Sequence, residues 1–449
     1  MRAVLRARRR NTELGLVLFA AIITGGLYVL ASLGNNAEIP ADLGPFLALV
    51  LGLLVVSHVA TRRLAPRADP LLLPIAALLN GIGYVFIARL AQDLGGKSTR
   101  LPGAQATWTF LGVGAYAATL FAVRRVRDLD RFRYTLALLG VLLLLSPLVP
   151  GIGVTLNGSR IWLRLGPLSI QPGEFAKIAL AIFFASYLVD KRELLRTGTY
   201  RVGPLMLPEP RHLAPVLVAW GGSLVVLIMQ KDLGSSLLFF TVFVVLVWIA
   251  TDRFAYLLIG LLLFAAGAYV SYRTFGHVQT RIENWLDPWQ DPRGRGYQAI
   301  QAQFAFAGGG LTGAGPGSGR PTLIPEVATD YQFAAIGEEL GLLGSTAVLV
   351  SYLLMAGSGL RVAIRAAQPF EKLLATGLTA LLSVQAFIIM GGVTRLIPLT
   401  GITLPFISYG GSSLLANYVL LALLMRVSDE SNEHQEKVTA DVSTMVPVT

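Results

Sequence analysis

Four clusters of ionisable and hydrogen-bonding residues carry the chemistry open to this chain. Asp330 closes a long polar stretch, with Glu326 four residues before it and Glu338 and Glu339 in the turns that follow. A carboxylate there serves either as a helix N-cap, favoured by the helix dipole, or as a base that takes a proton from an attacking hydroxyl. A second cluster, 157–177, reads N-G-S-R-I-W-L-R-L-G-P-L-S-I-Q-P-G-E-F-A-K and holds Arg160, Trp162, Gln171, Glu174 and Lys177. Pro172 and Gly173 suit a first helical turn, and Glu174 and Lys177, three apart, share one face of that helix. They form a neutralising ion pair or mark a substrate path, the two usual reasons for charge within a membrane. The third cluster, Q-K-D-L-G-S-S at 230–236, puts Asp232 where it caps a helix opening at Leu233 or stands beside a substrate. The fourth, 391–413, carries Arg395 as a lone cation, and its Pro398 and Pro405 break any regular helix. Broken backbone at membrane depth is tolerated where it lines a cavity, so Ser408 and Tyr409 are expected to line a groove.

The elements that position these residues are membrane spans. Of 449 residues 54% are hydrophobic and 14% charged, with mean hydropathy +0.63, against about 25% charged in soluble domains. Apolar runs near 20 residues define a polytopic, all-α integral membrane protein of about 12 spans. They are expected at 13–33, 43–61, 70–90, 107–123, 134–150, 173–189, 213–229, 233–251, 254–271, 333–358, 373–392 and 402–425. The basic start, 1–12, leads into an apolar run with no small-residue cleavage site and is read as a retained first span. With that tail inside, 24 of the 37 Lys and Arg fall on inner connections and 11 on outer ones. That asymmetry follows the positive-inside rule, so the net charge of +11 is a topology signal and an attraction to anionic membrane lipids rather than to nucleic acid. Both termini are then cytoplasmic. The absence of cysteine excludes disulfides, thiolate metal sites and thiol nucleophiles.

One connection, 272–332, is long, faces outward and shows no clear helix or strand period. Trp285, Trp289, Tyr297, Phe304 and Phe306 argue against disorder, and such loops are usually functional. Its glycine run, Gly308 to Gly317, offers backbone amides that could approach phosphates or simply a flexible link. The polar C-terminal tail, 427–449, reads as disordered.

Taken together, Q-P-G-E, Q-K-D-L-G-S-S, L-I-P-E-V-A-T-D, E-E-L-G-L-L-G and L-P-F-I-S-Y-G-G-S-S, in that order over about 70–425, resemble the shape, elongation, division and sporulation (SEDS) family of cell-wall polymerases. Members are similar to ten-span proteins. The resemblance therefore implies a core at 62–426 and an extension of two spans at 13–61, as in the RodA-type branch of actinobacteria. It implies a peptidoglycan glycosyltransferase that polymerises lipid II on the outer membrane face, with inversion and release of undecaprenyl pyrophosphate. The family's essential aspartate falls on Asp330, as general base. Arg160, Lys177 and Arg395 become candidates to hold the leaving pyrophosphate, alone or with a divalent cation, Mg or Mn. Trp162, Gln171, Glu174, Asp232, Glu326, Glu338, Ser408 and Tyr409 become candidate substrate contacts. The implied partners are a class B penicillin-binding protein with transpeptidase activity and other elongation or division machinery. A lipid II flippase and a scaffold for a partner enzyme are the alternatives. The clustering of acids on one face, rather than at the midplane, separates the polymerase from the flippase.

Overall fold

The computed structural model describes residues 2–156, 159–166, 168–196, 200–202, 205–207, 221, 222, 225 and 229–445. Two N-terminal helices, α1 (Arg2–Asn36) and α2 (Leu43–Leu64), precede a bundle that starts with α3 (Leu72–Leu94) and α4 (Leu101–Ala122). After α5 (Arg133–Leu145), a three-stranded antiparallel sheet, β1 (Gly153–Leu156), β2 (Ser159–Leu165) and β3 (Leu168–Ile170), leads into α6 (Gly173–Asp190). A short α7 (Arg192–Arg196) and the strand pair β4 (Tyr200–Val202) and β5 (Leu205–Leu207) follow. The bundle continues with α8 (Leu233–Thr251) and α9 (Ala255–Thr274). Two shorter helices, α10 (Gly276–Leu286) and α11 (Tyr297–Gly309), come before α12 (Gln332–Arg365), α13 (Pro369–Val393) and α14 (Gly411–Met445).

Among the described residues nine helices are long and apolar enough to cross a membrane. Eleven of the twelve expected spans fall on helices, and the seventh, 213–229, lies almost wholly outside the described residues. Helix ends follow local chemistry. Asp232 caps α8 by accepting a bond from the Ser235 amide at 3.0 Å, and α8 stops at Asp252, which takes the left-handed conformation (φ 59°). α13 starts with Pro369, whose missing amide costs nothing in a first turn. The principal core joins α3, α4, α6, α8 and α12 to α14; α14 lies along α4, and α1 along α3.

Three expectations need correction. The 272–332 insert is not aperiodic: α10 and α11 occupy it, because Val278, Ile282 and Trp285 form an apolar stripe at helical spacing. The last span does not begin at 402, since Pro405 and the turns around it keep 401–410 irregular until α14 starts at Gly411. The tail beyond 427 is helical to Met445 rather than disordered. Its polar residues satisfy backbone groups of the turns that follow α2 and α4. The Arg67 amide donates to Asp429 at 2.6 Å, that of Asp69 to Ser428 at 2.9 Å, and that of Val126 to Glu430 at 2.7 Å.

α12 is broken at Gly341 (φ 65°, ψ −163°), and the glycine run of the insert fills the break. The amides of Leu342 and Leu343 donate to the carbonyls of Gly310 and Leu311 at 3.0 and 3.1 Å. In return, Ala314 and Gly315 donate to Glu338 and Glu339 at 2.9 and 3.1 Å. Gly313 (φ +88°) must be glycine, because a Cβ there would lie 2.2 Å from the Glu339 carbonyl oxygen. The glycine run is therefore neither a phosphate cradle nor a slack link: it splices the insert into a membrane helix.

Candidate active site

Asp330 sits at the join between insert and α12, on a turn in which its amide and that of Thr329 donate to the Glu326 carbonyl at 3.0 and 3.2 Å. Glu326 holds a left-handed conformation (φ 54°) to make that turn. Burial pushes the Asp330 carboxyl up to about 6; nearby Glu326 adds to the rise, while a Thr329 hydrogen bond and the charge of Arg281 oppose it. A carboxylate tuned to that range is ionised at neutral pH and still basic enough to accept a proton.

The facing cation is Arg281 on α10, which the sequence reading did not single out. Its Nη1 donates to the Thr400 carbonyl at 2.8 Å. Gly401 (φ +73°) lies between the two charges: a Cβ there would stand 3.5 Å from Arg281 Nη2 and 3.6 Å from Asp330 Oδ2. Both arms of the site thus meet at the irregular 400–410 segment, which Tyr409 also ties to the insert through its amide, bonded to the Ala328 carbonyl at 2.9 Å. The clue in the sequence was the stripe Val278, Ile282 and Trp285, which puts Arg281 on the face that α10 turns inward.

Below Arg281 a largely apolar cavity of about 600 Å³ opens between α8, α9, α10 and the 396–400 turn. Phe240, Phe264, Val278, Ile282 and Trp285 line it, and Arg281 and Thr400 form its polar end. A groove with that polarity suits a ligand with a long apolar tail and an anionic head.

The other expected site residues divide. Asp232 shares this electrostatic neighbourhood: burial raises its carboxyl, Glu174 adds to the rise, and its cap bond and Arg281 oppose it. Glu174 and Lys177 pair at 2.6 Å, and Lys177 also donates to Gln385 Oε1 at 2.8 Å, so both are engaged within the bundle. Arg160 and Trp162 lie on β2 of the three-stranded sheet, where Arg160 Nη2 donates to the Val149 carbonyl at 3.2 Å. The Gln171 amide is bonded to Ser412 at 2.9 Å, which ties the start of α6 to α14. Arg395 is not a free cation. Its Nη2 donates to the carbonyls of Trp285 and Leu286 at 2.7 and 3.2 Å and so caps α10. Glu338 accepts from the Arg320 amide at 2.9 Å, a contact within the glycine splice. Ser408 is buried and accepts from the Leu404 amide at 3.0 Å, so it shapes a turn rather than lining a groove. Among the described residues no three His, Cys, Asp or Glu side chains gather as a metal site.

A helical membrane bundle with an acid and an arginine beside a largely apolar groove finds its counterpart among known proteins. Residues 70–433 match the model of the cell cycle protein family that groups FtsW, RodA and SpoVE, and the chain belongs to that family. It is 48% identical over 424 residues to the peptidoglycan glycosyltransferase RodA of Mycobacterium tuberculosis (strain H37Rv), covering 94% of this chain and 90% of that one. It is 35% identical to stage V sporulation protein E of Bacillus subtilis, over 71% of this chain and 85% of that one. In structure it is similar to a chain of a solved peptidoglycan synthase complex that coordinates polymerization and crosslinking. The TM-score is 0.67 and the identity 27%, over 81% of this chain and 98% of that one. The Thermus thermophilus rod shape determining protein RodA matches with a TM-score of 0.57 and 25% identity, over 80% of this chain and 96% of that one.

Proposed function

We propose that the chain polymerises lipid II into glycan strands, with Asp330 as general base and Arg281 as the cation at the lipid-linked leaving group. The protein is a multi-pass membrane peptidoglycan glycosyltransferase, the activity for which its relatives are named. The observation that carries the assignment of roles is the placement of Asp330 and Arg281 on either side of Gly401, with Arg281 also at the polar end of the 600 Å³ groove.

In this reading the polyprenyl tail of the donor occupies the groove and its pyrophosphate lies at Arg281. The 4-hydroxyl of an acceptor GlcNAc attacks C1 of the donor MurNAc as its proton passes to Asp330. The bond from C1 to the pyrophosphate oxygen breaks with inversion, and the electron pair leaves on undecaprenyl pyrophosphate. Arg281 stabilises that developing charge, and its guanidinium is already fixed by Thr400 so that little reorganisation is needed. Burial, with the charge of Glu326 beside it, keeps Asp330 basic. A flippase needs its charged groups exposed in turn to both faces, whereas these acids gather on one. Both termini lie in the cytoplasm and the site faces outward, and a class B penicillin-binding protein receives the growing strand.

The decisive test is polymerisation of lipid II by the purified wild-type chain and by Asp330→Asn, each with and without that transpeptidase. Undiminished polymer from the Asn variant would remove Asp330 from the role of base. Robust transport of labelled lipid II in vesicles, without polymer, would return the flippase.

A further inference from the structure

We infer that the N-terminal helix pair, α1 and α2, is a positioning brace for the active-site insert and not only a membrane anchor; the inference rests on the assignment of the site to Asp330. The pair lies outside the family model, which begins at residue 70, so its role does not follow from family membership. Its outer end bears on the insert at one place, where two backbones touch with no side chain between them. A Cβ on Gly34, in the last turn of α1, would lie 2.0 Å from the Pro316 carbonyl oxygen. From the other side, a Cβ on Gly317 (φ +78°) would lie 2.0 Å from the Ala31 carbonyl oxygen and 2.9 Å from the Asn35 amide. The two glycines form a matched pair. Gly15 and Gly26, elsewhere on α1, face open space.

Each half of the contact is fastened to a rigid element. The end of α1 is tied to α3 by Asn35, which donates to Gln92 at 3.0 Å, and to the start of α2 by Tyr28, whose hydroxyl donates to Asp42 at 2.8 Å. The Gly317 amide donates to Glu339 Oε2 at 2.8 Å. Arg89 of α3 reaches the Gly319 carbonyl at 3.1 Å and Glu339 at 3.3 Å. Glu339 lies on the short helical segment that begins two residues after Asp330 and ends at the Gly341 break. Movement of the Pro316–Gly319 turn is therefore passed to the segment that directly follows the base. Sites of this kind depend on such support, since a misplacement near 1 Å costs about 10²-fold in rate.

The test compares Gly34→Val with Gly26→Val, a control on the same helix, in the purified full-length chain. Three quantities are read: lipid II polymerisation over a range of substrate concentrations, hydrogen exchange of the 314–319 amides, and thermal stability. Gly34→Val is expected to lower kcat about tenfold or more with KM within about twofold, while the 314–319 amides exchange faster. Gly26→Val leaves all three at wild-type values. Asn35→Ala loosens the same end of α1 without a clash, so it folds in any case and is expected to lower kcat about threefold. Faster exchange with wild-type kcat, or lost activity with unchanged exchange, overturns the brace. So does wild-type behaviour in Asn35→Ala when Gly34→Val cannot be folded. The exchange readout keeps this test apart from that of the site itself: an active Asp330→Asn variant removes the base assignment and leaves the exchange result standing.

Discussion

Two pairs of opposite charges have opposite fates. Glu174 and Lys177 close on each other at 2.6 Å, and Lys177 is held again by Gln385, whose own amide donates to the Thr403 carbonyl at 2.8 Å. Asp330 and Arg281 face each other across Gly401, with Arg281 anchored to a carbonyl and Asp330 held on a backbone turn. The first pair satisfies its charges internally, which is how ionisable groups become tolerable within a membrane. The second keeps its charges available for something that is not protein. Spacing along the chain could not separate them, because the i,i+3 pair is local and the pair of Asp330 and Arg281 joins elements that only the fold brings together.

The largest expected effect is at Asp330. Asp330→Asn should lower polymerisation by about 10²- to 10⁴-fold, the usual range for loss of a general base, measured with purified protein and lipid II. The same variant should melt no lower than wild type. The raised carboxyl makes the folded state favour the protonated form, so ionisation above about pH 6 works against the fold and Asn removes that burden. A marked loss of stability at pH 8 would recast Asp330 as a structural cap. Next comes Arg281→Gln, expected to cost about 10²-fold in kcat if the guanidinium meets developing charge. It carries its own signature. In wild type the rate should rise with pH through a limb near 6 as Asp330 ionises; since Arg281 lowers that carboxyl, the limb should move upward in the variant. A limb that stays in place would mean that the two groups do not sense each other.

For the closed pair the comparison predicts a stability effect instead. Lys177→Met should destabilise the bundle by about 3–5 kcal/mol by leaving Glu174 buried and unpaired, and adding Glu174→Gln should restore much of that. If the double variant is as stable as wild type but inactive, the pair belongs to the site after all. Smallest is Asp232→Ala, expected to cost about 1 kcal/mol through the lost cap of α8, read as a shift in melting temperature.

The fold was largely legible because it rests on local signals. Apolar runs and a proline such as Pro369 at a helix start mark the helices within short windows. Asp330 could be found from the chain because it lies inside a contiguous motif. Arg281 was missed because its meaning depends on Thr400 and Gly401, more than a hundred residues away. Arg395 was read as a free cation for the same reason: nothing near it in sequence reveals that the end of α10 takes up its donors. Glycine composition likewise marks a place where backbone comes close to something. It does not say whether that is a phosphate or, as at Gly313, the carbonyl of a broken helix.

The last helix offers a consequence of a different kind. At 35 residues α14 is about 50 Å long, whereas the hydrocarbon core of a bilayer is about 30 Å thick. Its N-terminal end is bonded to Gly410, where the Leu414 amide donates at 2.9 Å, and its C-terminal half is clasped by the turns around Arg67 and Val126. One uninterrupted rod therefore runs from the 401–410 loop to well past the thickness of a single hydrocarbon core. A fluorophore attached at its C-terminal end becomes a pointer, reporting at a distance any tilt of the segment that holds Gly401.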